Sequence, residues 1–143
     1  MKVFGKFGFG IVASVLGVAA SAADFDGSEA LICSFAQITE CDAGSDCRAV
    51  TNDSVDAPDF VKLDFKKKTV TAIFAGVEGG ADDLDNVMDL ANYLVVQGVQ
   101  GGAEGAADSL AWSASIDHES GLIVVSASGE KAAFVIFGAC TPL

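Results

Sequence analysis

Histidine, tryptophan and tyrosine each occur once in 143 residues, and eight basic residues face twenty acidic ones. The single histidine, His118, sits in Asp117–Gly121, a turn signal, where a solvated surface residue is expected rather than a general base. No G-x-S-x-G surrounds Ser113 or Ser120, so neither has the setting of a hydrolase nucleophile. No C-x-x-C is present and no histidine lies near a cysteine, which argues against a zinc site. The acidic stretch Gly76–Asp89 fails the calcium-loop spacing from both Asp82 and Asp83, lacking the sixth-position glycine and the twelfth-position glutamate. It is read as an acidic surface loop. The glycines at 98, 101, 102 and 105 precede no helical pattern, so they read as a flexible loop and not a phosphate cradle. Paired carboxylates are numerous, but an acidic composition supplies them without placing any pair in a cleft. No catalytic residue, metal site or cofactor is expected.

The shortage of basic residues argues against nucleic acid and anionic membrane surfaces, both of which would repel this chain. Lys2 and Lys6 lead an apolar stretch, Phe7–Ala19, followed by Ala20-Ser21-Ala22. A positive start, an apolar centre and an A-x-A end make an export signal cleaved after Ala22. The apolar run falls short of the about 20 residues that span a bilayer, so no membrane span is expected in the mature form. No cysteine follows the cleavage point closely, so a soluble periplasmic or secreted protein is expected, with residues 1–22 as signal and residues 23–143 as one domain. The mature charge is 6 − 20 = −14, since two lysines leave with the signal. That charge serves solubility and also suits a basic partner.

Export makes four cysteines a disulfide framework with three possible pairings. Cys41 and Cys47 flank D-A-G-S-D, a turn short enough to be clipped. Cys33 lies in the first apolar run and Cys140 ends the last, so Cys33–Cys140 is expected at the seam of a closing sheet.

What remains is rich in period-two alternation. Leu110, Trp112, Ala114 and Ile116 alternate with Ala111, Ser113, Ser115 and Asp117, as a strand with one buried face requires. Turn signals at Asp117–Gly121 and Ser128–Lys131 separate this run from Leu122–Ala127 and Phe134–Ala139. Both later runs are apolar on both faces and so read as central or barrel strands. The first strand is expected over Ala30–Thr39, a second hairpin over Phe60–Phe74, and another strand over Tyr93–Gly98. Between the clip and Pro58, Thr51 is placed to start a short helix through Val55. The expected fold is all-β: a single antiparallel barrel or closed sandwich of seven to eight strands, joined by hairpins and stapled by disulfides.

Candidate partner contacts are few. Lys66, Lys67 and Lys68 at the second hairpin's tip form the only basic cluster of the mature chain. They would contact an anion, although lysines also guard strand ends against aggregation. Trp112 and Tyr93 would line a ligand pocket, although strand aromatics more often serve the core.

The segments L-V-V-Q-G (Leu94–Gly98), A-W-S (Ala111–Ser113) with a following S-G, and F-V-I-F-G-A-C-T (Phe134–Thr141) resemble a family of small exported Gram-negative bacterial proteins of unknown function. In that family a cysteine clip and a proline-led hairpin occupy the middle, matching Cys41–Cys47 and Pro58–Phe65. The likeness covers most of Leu31–Thr141, and Gly76–Asp89 is more acidic than the family's pattern. The resemblance implies no activity. The general shape is also similar to small lysozyme-inhibitor barrels, whose inhibitory loop motif is not evident here. Together these features lead to a non-enzymatic exported binding or interaction module for a protein or small ligand, one form being an inhibitor of a basic cell-wall hydrolase. A carboxylate-dependent hydrolase or other small enzyme is the alternative.

Overall fold

The computed structural model describes residues 25–101 and 109–143. The expected signal peptide and most of the glycine-rich loop lie outside them. The chain forms β1 (Leu31–Asp42), β2 (Arg48–Val50), a 3-10 turn (Asn52–Val55), β3 (Phe60–Asp64) and β4 (Thr69–Phe74). It continues as β5 (Val77–Asp83), β6 (Asn86–Asp89), β7 (Tyr93–Gln100), β8 (Leu110–Asp117), β9 (Leu122–Ser128) and β10 (Ala132–Pro142). No helix among the described residues is long and apolar enough to cross a membrane.

The all-β expectation holds, but the closed barrel of seven to eight strands does not. Ten strands form one antiparallel sheet in the order β5-β4-β3-β1-β10-β9-β8-β7-β6, with β2 also on β1. The sheet curls without closing. Its two ends approach where one stretch of chain changes partner: Leu84 N donates to the Lys68 carbonyl at 2.9 Å, and Asp85 N to the Gln97 carbonyl at 3.0 Å. Thus β5 stays with β4 and β6 joins β7, and no ladder links β5 to β7. The acidic stretch read as a loop is therefore two strands. All seven residues of β5 are exposed, and Gly79 and Gly80 bulge opposite Ala72. A bulge and exposed carboxylates at 78, 82 and 83 are the devices that keep an edge strand from pairing further.

The period-two pattern fixes which residues turn inward. Leu94 and Val96 of β7, Ala114 and Ile116 of β8, and Ile123 and Val125 of β9 are buried together. Leu31 and Ile38 of β1, Leu63 of β3 and Ile136 of β10 join that core with Phe25, Leu84 and the Cys33–Cys140 pair, and no polar or charged described residue is buried. Each large apolar side chain buried this way contributes about 1.5–3 kcal/mol, against about 0–1 kcal/mol for an exposed ion pair such as Arg48 with Glu40 and Asp42. The core therefore holds the fold.

β9 and β10, apolar on both faces in sequence, are covered on one face only. Leu122, Val124 and Phe137 point outward, 59%, 39% and 43% exposed. The strands β9 and β10 are central, as their composition implied, and β1 joins them, but a single curled layer backs only one face.

Both disulfides form as expected, Cys33–Cys140 and Cys41–Cys47. Their setting corrects the seam argument. Cys33 and Cys140 are directly paired residues of β1 and β10, in the middle of the strand order and not where the sheet ends meet. The two strands are neighbours because eleven residues of β1 run beside β10, a longer ladder than any other.

The turns follow their side chains. Thr51 does precede a short 3-10 turn, with Ser54 N donating to its carbonyl at 3.1 Å. In the β8–β9 turn Asp117 Oδ1 accepts from Ser120 Oγ at 2.7 Å and Ser120 N at 2.8 Å, and Gly121 closes the turn at φ 68°. These hydrogen bonds, the Ser120 hydroxyl first, hold the Asp117 carboxyl below its ordinary value. A group lowered in the folded state adds stability above its unfolded value, and that contribution disappears as pH falls through the folded one. Asp117→Asn is therefore expected to flatten the acid limb of the stability–pH curve below about pH 4, read by urea unfolding at a series of pH values. An unchanged limb would separate this turn from acid stability.

Candidate functional site

A cavity of about 120 Å³ lies inside the curl, under the segment from the 3-10 turn to Pro58. Its floor is the inner face of the meander: Trp112 and Ala114 from β8, Val125 and Ala127 from β9, Phe134 and Ile136 from β10. Its roof is Val55, Ala57 and Pro58, and Phe35 with Ile38 closes the β1 side. The local sequence builds the roof. Val55 ends the 3-10 turn, and Asp56 follows in the left-handed conformation at φ 51°. Ala57 N then donates to the Asn52 carbonyl at 3.0 Å, and Asn52 Nδ2 donates to the Pro58 carbonyl at 3.0 Å. Those bonds fold the segment back over the sheet.

Apart from the Trp112 indole N–H, the polar side chains among the described lining residues are Asp56 and Gln100, and both are exposed. They mark the mouth, and no lysine, arginine or histidine among the described residues lines the cavity. Trp112 turns inward over Gly98, its cross-strand partner. A methyl added at Gly98 would sit 2.7 Å from Trp112 Cζ2, so glycine there leaves the room that the indole occupies.

The structure separates the residues singled out from sequence. Trp112 lines the cavity; Tyr93 does not. Tyr93 opens β7 on the outer face, 42% exposed and opposite Asp117, five rungs from Trp112 on the β7–β8 ladder. Lys66, Lys67 and Lys68 are exposed at the β3–β4 tip, away from the cavity lining. Lys67 is engaged locally: its backbone N donates to Asp64 Oδ1 at 2.9 Å, and its Nζ lies 3.3 Å from Asp64 Oδ2. Those bonds, the Lys67 backbone N–H first, hold the Asp64 carboxyl below its usual value. The four cysteines are structural and none lines the cavity.

His118 is not the freely solvated residue read from its turn. Its side chain is 21% exposed, and Nε2 lies 3.2 Å from Asp89 Oδ1, out of line for a hydrogen bond, so the contact is ionic when the ring is charged. It tacks the β8–β9 turn to the end of β6. Asp82, Asp83 and Asp85 line an open depression with Ala81 and Val99, where the sheet fails to close. Sequence reasoning missed Phe35, Asp56 and Gln100. Asp56 had a signal, because it follows the predicted short helix and lies two residues before a proline, but nothing local tells what such a segment covers.

No family model, curated protein or solved structure matches this chain.

Proposed function

We propose that this protein is a non-enzymatic binding module, exported to the periplasm or beyond, that holds a small apolar group in the cavity beside Trp112. The observation that carries the reading is an interior space walled by aromatic and aliphatic side chains, with the polar side chains Asp56 and Gln100 at its mouth. Such a site binds by burial and shape. Catalysis would need two or more polar groups converging on one point, and the cavity offers Asp56 and Gln100 at its rim alone. The carboxylates at 82, 83 and 85 lie exposed in an open depression whose apolar lining is Ala81 and Val99 alone. The n-region, apolar run and A-x-A end support export, as do two disulfides, which persist in oxidising compartments. A mature charge of −14 supports a cationic partner for the module as a whole, a basic cell-wall hydrolase being one such partner.

Trp112 is the only tryptophan, so its emission reports the site directly. Toluene titrated into the protein is expected to give a saturable change in that emission. Ala127 stands opposite Trp112 across the β8–β9 ladder and lines the same cavity. Ala127→Leu fills the space and is expected to abolish the saturable change while the unfolding temperature holds or rises. A response that never saturates, or one that survives in Ala127→Leu, sinks the reading.

A further inference from the structure

We propose that the cavity selects a single-ring apolar group that bears a cationic amine end and rejects the same ring bearing an anion; this rests on the cavity being the binding site. Size comes first. A dry cavity of about 150 Å³ accepts benzene, whereas drug-sized ligands occupy about 300–1,000 Å³. At about 120 Å³ the space inside the curl has room for one ring and not for a fused polycyclic group. Shape comes second. Phe35, Trp112 and Phe134 reach it from three different strands, so a flat ring meets aromatic faces or edges on several sides.

Charge decides the end group. Among the described residues the cavity lining contains one ionisable side chain, Asp56, exposed beside the mouth, and no basic residue to pair with an anion. A ligand whose ring is inside must leave its polar end at that mouth. An ammonium there meets the Asp56 carboxylate and the Gln100 amide oxygen, while a carboxylate meets the like charge of Asp56 and can pair only with the neutral Gln100 amide N–H. The overall charge of the chain acts in the same direction at longer range. Asp56 is held in place by backbone conformation, since φ 51° is tolerated by Asp and Asn and disfavoured for most other residues.

The test is a three-ligand panel on the whole mature protein, read by Trp112 emission: benzylamine, toluene and benzoate at low ionic strength. Benzylamine is expected to bind about two- to fivefold more tightly than toluene, the worth of an exposed ion pair, and benzoate more weakly than toluene. The benzylamine advantage should shrink as salt is raised. In Asp56→Asn, which keeps the left-handed backbone, the benzylamine-to-toluene ratio should fall to about one. Asp53→Asn, on the same turn but outside the lining, should keep the wild-type ratio. Equal binding of benzylamine and toluene, a preference for benzoate, or an undiminished ratio in Asp56→Asn overturns the charge assignment while leaving the cavity as a binding site. Failure of all three ligands to bind overturns the binding reading itself.

Discussion

Replacing Cys33 and Cys140 together by alanine is expected to lower the unfolding free energy by about 2–5 kcal/mol. The bond closes a loop of sequence separation 107, against 6 for Cys41–Cys47. On the chain-entropy account those loops correspond to about 5 and about 2 kcal/mol, so the long one should dominate. The site strengthens the expectation. Cys33 is fully buried and Cys140 nearly so, and both sit on the β1–β10 ladder at the centre of the sheet. Loss there loosens the strands from which both flanks of the sheet extend. Since a domain's whole stability is about 5–15 kcal/mol, the double variant should unfold far earlier in urea. The Cys41→Ala, Cys47→Ala pair should shift the midpoint less, because Arg48 still ties Glu40 and Asp42 across the same turn. A larger loss from the short clip than from the long bridge would reverse the ranking of the two loops.

Gly138→Ala should be about as damaging, near 3 kcal/mol. Gly138 pairs with Phe35 where β1 bulges, and Ala36 is the extra residue of that bulge. The bulge brings the Ser34 carbonyl oxygen onto the spot a β-carbon would occupy, with Ile123 Cγ2 a further 3.2 Å neighbour. Backbone atoms cannot rotate away as a side chain does, so the added methyl must push β1 off β10 at the middle of their ladder. Gly80→Ala is the matched comparison. A methyl at Gly80 meets nothing within 4 Å, and its cost should stay within about 0.5 kcal/mol. Equal midpoints for the two alanine variants in urea unfolding would show that the close approach at Gly138 is absent.

Trp112 shows how far local pattern carries. Its alternation with Ala114 and Ile116 said that it faces inward, and it does. Whether an inward tryptophan fills the core or borders a space depends on what lies above it. That is the Val55–Pro58 segment, about 55 residues away in sequence. Tyr93 carries the same kind of signal one strand away, yet it falls on the outer face because Leu94 takes the buried phase. Asp56 was legible only as part of a turn before a proline. Its role at a mouth comes from folding that turn over three distant strands.

The sequence by itself determined the apolar strands β1, β3, β4 and β7 to β10, because period-two alternation and turn chemistry are local properties; the exposed strands β5 and β6 carry no apolar alternation and read as a loop. It also determined the disulfide pairing, because a six-residue separation favours one clip and leaves one partner for each remaining cysteine. Tertiary structure alone decided that the sheet stays open, with ten strands in place of seven or eight. Closure depends on whether the first edge reaches the last. Here the chain crosses between them only at Leu84–Asp85, while a glycine bulge and three carboxylates keep the rest of β5 apart from β7. The cavity beside Trp112 belongs to the tertiary structure for the same reason. Its volume is the difference between how far the sheet curls and how deeply the 3-10 segment sits, and no stretch of sequence contains both.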